Sequence, residues 1–291
     1  EKSVLNMCGR EKDRNKQWAT LLHCLPTTDT VVLDNLQLGP QGKSRHSLTT
    51  LERLLQTVRW QFYANAFQTN LINVVKHLSL QNCALQVVDF TYLLSALNAP
   101  THIETLDLSG NRLEVGTEVR TVYPRQDYFF LSPTPREMEQ NTLVRLLTTN
   151  ILGNLKELHL QKTNLFETLA SDKALEPGDP SKLDVICPQA IFDRLRVLNL
   201  RDNYMFENDA RYLMQMIKKR NEKSGRSKLK IYLGALPHWL WTHQPDRWRM
   251  TREYFAEVVG EQVQVIFHRG NSIQSGQAPM LGPWGTRVSR S

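Results

Sequence analysis

The chain has 291 residues, of which 41% are hydrophobic and 22% charged, a balance typical of a globular protein and unlike that of a disordered chain. Its formal net charge of +7 permits a polyanionic partner but does not demand one. No window approaches the roughly 18 uninterrupted apolar residues that span a bilayer, so we expect no membrane segment.

The four cysteines are scattered, and none has C-x-x-C spacing; they are Cys8, Cys24, Cys83 and Cys187. So few thiols cannot form a dense disulfide framework, which favours a reducing, intracellular compartment. Cytoplasm, nucleus and organelle matrix all stay open. The sequence opens with Glu1, which fits either a processed protein or a piece of a longer chain.

The first segment, residues 1–27, is predicted to be a helical N-terminal cap. Trp18, Leu21 and Leu22 are spaced as on one face of a helix. Such a cap would cover the open core of the first unit of a repeat protein.

A pattern of leucines then recurs along the chain, which is the sign of a repeat architecture. Residues 103–113 and 195–205 fit the pattern L-x-x-L-x-L-x-x-N-x-L, with Asn111 and Asn203 in the ninth position. Asparagine there can hydrogen-bond to neighbouring backbone where the chain turns, and cysteine or threonine can partly replace it.

Further copies keep the apolar spacing with other residues in the asparagine position. Residues 75–85 place Cys83 there, and residues 155–165 place Thr163 there. The alternating L-x-L of each copy predicts a short strand whose leucines face inward. No copy can bury its apolar face alone, so neighbouring copies must stack. Less regular copies lie at residues 28–38 and 228–236, and a last strand is predicted at residues 262–268.

Over roughly residues 28–273 the sequence resembles the leucine-rich-repeat family. The resemblance implies an α/β solenoid, with a curved parallel sheet on the concave side and helices on the convex side. The clean interval from Val75 to Ile103 is 28 residues, similar to the ribonuclease-inhibitor-like class, which is mostly intracellular. Counted between the first positions of the other copies, the intervals are 47, 52, 40 and 33 residues. The repeats, assigned to residues 28–236, are therefore irregular.

Helical spacing of apolar residues separates several of the strands, at residues 48–58, 90–97 and 207–219. Two inserts lengthen the repeats, at residues 117–136 and 166–190. Such inserts usually form surface loops, which either carry binding or are neutral elaborations. We favour a contact role for the first insert, which is rich in Tyr, Phe and Pro, and no role for the second.

Stacking of the strands in register would align their outward side chains in rows. One predicted row is Val32, Ser79, Asp107, His159, Asn199 and Tyr232. Ser79, Asp107 and His159 do not suit a catalytic triad, because the aspartate would take the middle place that belongs to the histidine. We therefore expect no enzymatic activity and assign the concave face to partner binding. The residues assigned to it are His77, Gln81, Asp107, His159 and Arg201.

The sequence offers little to a metal or a cofactor. His23 and Cys24 are adjacent, and His238 and His243 are five residues apart; neither pair has zinc-ligand spacing. Glycine-rich phosphate loops, Walker motifs and H-E-x-x-H are absent from the sequence. We expect no catalytic residue, no metal, no cofactor and no small-molecule substrate.

Residues 218–230 hold seven basic residues and one acidic residue. Cations at the end of a helix complement its dipole, but seven charges exceed what a cap needs. The segment predicts contact with a polyanion, either RNA or an acidic protein, while plain solvation and nuclear localisation stay open. The residues assigned to it are Lys218, Lys219, Arg220, Lys223, Arg226 and Lys228.

The end of the chain is divided into a cap and a tail. In residues 237–270, Trp239, Trp241 and Trp248 alternate with basic residues, which suits a hydrophobic cap or stacking on RNA; the cap is favoured. Residues 271–291 are rich in Gly, Pro and Ser and predict an extended tail. Its apolar anchors are Met280, Leu281 and Trp284.

The function predicted from these features is that of a non-enzymatic scaffold, a subunit of a larger complex that binds protein partners. The prediction rests largely on the resemblance, because a fold alone does not specify function. The alternative is an RNA-contacting subunit of a ribonucleoprotein such as an organellar ribosome. A substrate receptor of a ubiquitin ligase ranks third, since the N-terminal residues contain no evident F-box-like segment.

Overall fold

The structure is a computed structural model. It describes residues 4–6, 28–35, 74–97, 99–113, 135–163, 165, 182–203, 207–223, 225–233, 259, 262–267 and 272–273. The strands among these residues form one open sheet, and the buried residues of strands and helices belong to one apolar core. The fold is α/β, as the sequence predicted.

The strands follow one another in the sheet in chain order. Each strand from β1 to β7 pairs in parallel with the next, and β9 pairs antiparallel with β8. Their bounds are Val4–Asn6 (β1), Thr30–Val32 (β2), His77–Ser79 (β3), Thr105–Asp107 (β4), Glu157–His159 (β5), Val197–Leu200 (β6), Leu229–Leu233 (β7), Val263–Phe267 (β8) and Ser272–Ile273 (β9).

The described helices lie in the connections between β3 and β7. They are Val87–Leu97 (α1), Pro135–Ile151 (α2), Lys182–Ile186 (α3), Gln189–Phe192 (α4) and Glu207–Asn221 (α5). Helices α1 and α5 confirm the helical predictions at residues 90–97 and 207–219, whereas residues 48–58 lie outside the described part of the chain.

The two predicted inserts are not loops throughout, and the expectation of loops is wrong at their ends. Helix α2 begins at Pro135, inside the first insert, where proline suits a first helical turn because its missing N–H has no partner there anyway. Helices α3 and α4 both begin inside the second insert. The described end of the first insert is therefore helical, and the described end of the second contributes buried residues to the core.

The core lies between the inward side chains of the strands and the helices. Leu78, Leu106 and Leu158 are register partners on β3, β4 and β5, and all three are buried. Phe90 and Leu94 of α1 are buried in the same cluster. Burying one such side chain contributes about 2 kcal/mol, and the repeated leucine spacing extends this burial from strand to strand.

Asn111 links its turn to the turn before it. Its buried side-chain oxygen accepts hydrogen bonds from the N–H groups of Cys83 (2.9 Å) and Leu85 (3.0 Å). Its amide nitrogen donates to the carbonyls of Leu80 (2.7 Å) and Leu108 (2.8 Å). The amide thereby satisfies backbone groups of two successive units, as the ninth-position asparagine was predicted to do.

Asn203 repeats this arrangement, and the two substitutes take over part of it. The Asn203 oxygen accepts from the N–H of Thr163 at 3.0 Å, and its amide nitrogen donates to the Leu160 carbonyl. The hydroxyl of Thr163 also donates to Leu160, at 2.9 Å. The thiol of Cys83 donates to the carbonyl of Leu33 at 3.0 Å. The predicted replacement of asparagine by threonine and cysteine is confirmed.

The turns after β2 to β6 each have a residue with a left-handed backbone at the same position, and the turn after β3 has a second one outside it, Ala84 (φ 56°). Neighbouring turns are joined at this position, where the N–H of Asn82, for example, donates to the carbonyl of Ser109. Residues other than glycine adopt this backbone conformation at a cost of roughly 1–2 kcal/mol. The residues are Asn35 (φ 60°), Asn82 (φ 52°), Gly110 (φ 72°), Lys162 (φ 54°) and Asp202 (φ 57°).

The chain ends differ from the predictions. The helical cap predicted at residues 1–27 is wrong at Val4–Asn6, which form β1 and extend the sheet; residues 7–27 lie outside the described residues. The last strand predicted at 262–268 is confirmed by β8. The tail predicted at 271–291 begins within the sheet, because Ser272–Ile273 pair with β8. A strand edge with unpaired N–H and C=O groups favours such added pairing over a free arm.

Candidate functional site

The outward side chains of the strands form aligned rows, which together we call the sheet face. The predicted row is confirmed, because the strand register makes each of its members the partner of the next. All of its side chains are half-buried. This central row is Val32, Ser79, Asp107, His159, Asn199 and Tyr232.

Two further rows flank the central one. The first row consists of the strand residues two positions earlier: Thr30, His77, Thr105, Glu157, Val197 and Lys230. The third row lies two positions later, where backbone hydrogen bonds continue the same alignment: Asp34, Gln81, Ser109, Gln161 and Arg201. The third-row side chains are half-buried as well.

Hydrogen bonds between strands hold the half of the sheet face nearest β2. Asp34 accepts from the hydroxyl of Ser79 at 2.6 Å and from the backbone N–H of Gln81 at 2.9 Å. The side chain of Gln81 donates to Asp107 at 2.7 Å, and Asp107 also accepts from the backbone N–H of Ser109 at 2.9 Å. Both carboxylates are thus fixed by groups on neighbouring strands.

The contacts of the serine, aspartate and histidine in the central row are not those of a catalytic triad. The Ser79 hydroxyl donates to Asp34, and Asp107 is held by Gln81. The Nε2 of His159 lies 3.8 Å from a carboxylate oxygen of Glu157 in the first row. Nucleophilic catalysis needs a hydrogen bond between nucleophile and base, and none of these contacts joins Ser79 to His159.

The half of the sheet face nearest β7 carries a stacked arginine. The guanidinium carbon of Arg201 lies 4.7 Å from the centre of the Tyr232 ring, within the range of a cation–π interaction. Asn199, the register partner of Tyr232, accepts from the backbone N–H of Arg201 at 3.2 Å. Gln161 donates to Asp202 at 2.8 Å and orders the adjacent turn.

The residues predicted to bind a partner lie on this one face. His77 belongs to the first row, Asp107 and His159 to the central row, and Gln81 and Arg201 to the third row. They span four neighbouring strands, a width of about 14 Å. Tyr232 was aligned with them in the sequence but was not assigned to the site. The signal that could have included it is its register position beside Asn199.

Arg220 does not belong to a binding surface, and its assignment to polyanion binding is wrong. Its side chain is fully buried (0% exposed). It donates hydrogen bonds to the carbonyls of Phe192, Leu195 (2.9 Å) and Ser227 (2.8 Å). Burial lowers the pKa of Arg220, while the nearby Asp193 carboxylate favours the charged form. The residue joins the end of α5, the turn after α4 and the loop that leads into β7.

The other assigned basic residues are exposed beside this anchor. Lys223 pairs with the buried carboxylate of Asp193 and holds the loop a second time. The N–H of Lys230 donates to the carbonyl of Arg196 at 2.8 Å, which brings a second basic stretch against the loop. We call the resulting surface, at the N-terminal ends of β6 and β7, the basic edge. It comprises Arg194, Arg196, Lys218, Lys219, Lys223, Arg226, Lys228 and Lys230, all of them exposed.

The basic edge includes residues that the sequence assignment missed. Arg194 and Arg196 lie more than twenty positions before Lys218 in the chain, so no local charge run contains them. The sequence signal available was the strand pattern, which places residues 196 and 229 opposite each other in the ladder. Arg194 is further held by a hydrogen bond to the carbonyl of Gly153.

Several titratable groups outside these surfaces are buried or half-buried. Cys83 and Cys187 are buried and not in disulfides, and burial strongly raises the pKa of the Cys187 thiol. Desolvation, followed by the influence of Asp184, raises the pKa of Tyr212. Asp184 itself pairs with Arg145 at 3.1 Å. These groups lie within the core or pack against it.

Within the described ranges no three His, Cys, Asp or Glu side chains are grouped as metal ligands would be. The same part of the chain contains no helix with the length and apolar character of a membrane span. The His23–Cys24 and His238–His243 pairs and the tryptophan-rich segment lie outside it. The predicted tail anchors, Met280, Leu281 and Trp284, lie outside it too.

Comparison with protein-family models and with curated proteins finds no match to this chain.

Proposed function

We propose that this chain is a leucine-rich-repeat solenoid of the ribonuclease-inhibitor-like class and that it acts as a non-enzymatic scaffold. In this proposal it binds a protein partner through the sheet face, as a subunit of a larger complex. The observation that carries the proposal is the alignment of half-exposed polar side chains into three rows that neighbouring strands hold in place.

The solenoid assignment is supported by features that recur at the same place in successive units. Each unit from β2 to β6 has a strand with an inward, buried Leu or Val, followed by a left-handed turn residue. The buried amides of Asn111 and Asn203 connect adjacent turns. Strict chain order in a parallel sheet is the expected result of stacking such units one after another.

Binding is supported by the preorganisation of the sheet face. Asp34, Asp107 and Gln81 are already held by hydrogen bonds, so a partner would not have to order them. Immobilising a flexible side chain at an interface costs roughly 0.5–1.5 kcal/mol, and this cost is reduced here. Arginine and tyrosine are enriched among residues that dominate binding energy, which singles out the stacked Arg201 and Tyr232.

The charges of the sheet face define the partner further. Asp34 and Asp107 make the rows acidic towards β2, whereas Arg201 and Lys230 make them basic towards β7. A partner segment with basic residues at one end and acidic residues at the other would match this order. Such matching steers association and fixes the direction of binding more than it adds affinity.

The test compares two double variants of the intact chain in affinity purification from its native cells, with quantitative mass spectrometry. The sheet-face variant combines Arg201→Ala with Tyr232→Ala. The control combines Arg112→Ala with Leu146→Ala, which also removes one arginine and one large side chain, both exposed away from the rows. Thermal unfolding by circular dichroism verifies that each variant is folded.

The proposal predicts a protein that is recovered equally with the intact chain and with the control. Its recovery with the sheet-face variant should fall by about tenfold or more, since residues that dominate an interface contribute upwards of 2 kcal/mol each. Equal recovery of every associated protein with both variants would contradict binding through the sheet face.

A further inference from the structure

The fold assembles the basic edge from two separate stretches of sequence. Residues 194–196 and 218–230 meet because Arg220 donates to the Leu195 carbonyl on one side and to the Ser227 carbonyl on the other. The hydrogen bond from the Lys230 N–H to the Arg196 carbonyl closes the contact. Positive charge is thereby concentrated beyond what the linear run provides.

Helix capping accounts for a minor share of these charges. Lys218 and Lys219 lie in the last turn of α5, where cations are favoured by the helix dipole. Arg196 and Lys228 directly precede β6 and β7, and Lys230 lies within β7, so a helix dipole does not account for these three charges.

The surroundings of these charges favour a phosphate backbone over a protein. The core of a protein interface is rich in apolar and aromatic side chains and poor in lysine. In residues 218–223 and 225–230, the described side chains that reach solvent are polar or charged, and the apolar Leu229 is fully buried. Lysine and arginine can neutralise phosphates without any apolar contact.

We propose that the basic edge binds the phosphate backbone of single-stranded RNA. Lys230 of the basic edge and Tyr232 project from the same face of β7, two residues and about 7 Å apart. The guanidinium of Arg201 lies over the Tyr232 ring. Unpaired bases stack on aromatic rings and on arginine planes, so a strand held at the basic edge can place a base at this stack. This function goes beyond the protein binding proposed for the sheet face.

The experiment is a fluorescence-anisotropy titration of the intact chain with labelled oligouridine of about 20 nucleotides, long enough to track a basic surface. The basic-edge variant carries Lys219→Ser, Arg226→Ser and Lys228→Ser, which removes three exposed charges and no residue of the sheet face. The control carries Lys76→Ser, Arg112→Ser and Lys162→Asn, also exposed. Both variants lower the net charge from +7 by the same three units.

The proposal predicts that the basic-edge variant binds oligouridine about tenfold or more weakly than the intact chain, and that the control binds like the intact chain. Between about 50 and about 200 mM salt, the intact chain should lose affinity more steeply than the basic-edge variant, since fewer counterions are released without the three charges. Equal weakening of both variants would overturn the proposal, because net charge alone would then explain binding.

Three competing ligands complete the test. Polyglutamate that binds more tightly than oligouridine would assign the basic edge to an acidic protein and overturn the proposal. Tighter binding of duplex RNA would overturn its single-stranded character. Oligodeoxyuridine that binds as tightly as oligouridine, with the same sensitivity to the basic-edge substitutions, would overturn the choice of RNA over DNA. None of these outcomes bears on the sheet-face test, because the basic-edge variant and the sheet-face variant share no residue.

Discussion

The buried guanidinium of Arg220 donates a 2.8 Å hydrogen bond to the carbonyl of Ser227, seven residues later in the chain. Together with its bonds to the carbonyls of Phe192 and Leu195, this contact ties a helix end, a turn and a strand entrance to one side chain. A residue of the most basic run in the sequence is therefore used inside the fold, while its neighbours face solvent.

Replacing Arg220 by Met should lower the free energy of unfolding by about 3 kcal/mol, because three carbonyls, two of them buried, lose a charged donor while the stem volume is largely kept. Urea denaturation followed by circular dichroism measures the change. Lys219→Met, on the same helical turn but exposed, should change stability by less than about 0.5 kcal/mol. Equal effects of the two substitutions would contradict the structural role of Arg220.

Asn111→Ala should destabilise the protein by about 3 kcal/mol, because it leaves two buried N–H groups and two carbonyls without their partner. Asn111→Thr should cost less, since Thr163 serves in the same position of a neighbouring unit. Asn154→Ala removes one hydrogen bond, to the Thr101 carbonyl, and should cost about 1 kcal/mol. Comparable losses for Asn111→Ala and Asn154→Ala in chemical denaturation would refute the connecting role.

Gly110 and Lys162 occupy the same left-handed turn position. Adding a side chain at Gly110 and removing the side chain of Lys162 should therefore have opposite effects on stability. At Gly110 an added Cβ would lie 1.9 Å from the side-chain oxygen of Asn82, and the backbone φ is +72°. Gly110→Ala should therefore destabilise by about 2 kcal/mol, whereas Lys162→Gly should stabilise by about 0.5 kcal/mol through relief of its φ of 54°. Differential scanning calorimetry of both variants measures the two changes. A higher melting temperature for Gly110→Ala would contradict this view of the turns.

The hydrogen bond from Lys156, followed by the positive charges of Lys156 and Lys76, lowers the pKa of Glu104 below its ordinary value of 4.5. A lowered pKa in the folded state stabilises the protein above pH 4.5, and this stabilisation is lost as the pH falls through the folded-state pKa. The gain is well under about 1 kcal/mol, because both side chains are partly exposed.

Lys156→Met should raise the pKa of Glu104 towards 4.5, which carboxyl-carbon NMR titration resolves directly. The control is Lys162→Asn. Lys162 lies on the turn after β5, the strand that Lys156 precedes, and its replacement should leave the pKa of Glu104 unchanged. No upward shift in Lys156→Met would show that the pair at 2.7 Å does not act on the carboxylate in solution.

The fold class and the outward row could be predicted because both follow from local periodicity. Leucines at every second position must face one side of a strand, and units that repeat the same spacing must align their remaining side chains. This reasoning alone placed Asp107 beside His159 and Asn199 beside Tyr232, as the strand register has them. The role of Asn111 followed as well, since its hydrogen-bonding groups suit a turn between stacked units.

Contacts between distant segments decided the rest. Whether Val4–Asn6 form a helix or a strand depends on the neighbouring edge of β2, which supplies hydrogen bonds that the segment's own apolar spacing does not reveal. Likewise, the seven basic residues in 218–230 look alike in sequence. The carbonyls of Phe192 and Leu195 select Arg220 as the one that is buried. The sequence by itself determined which side chains face the sheet surface, because that depends on alternation. Only the tertiary structure decided which charges remain free to bind, because that depends on partners far along the chain.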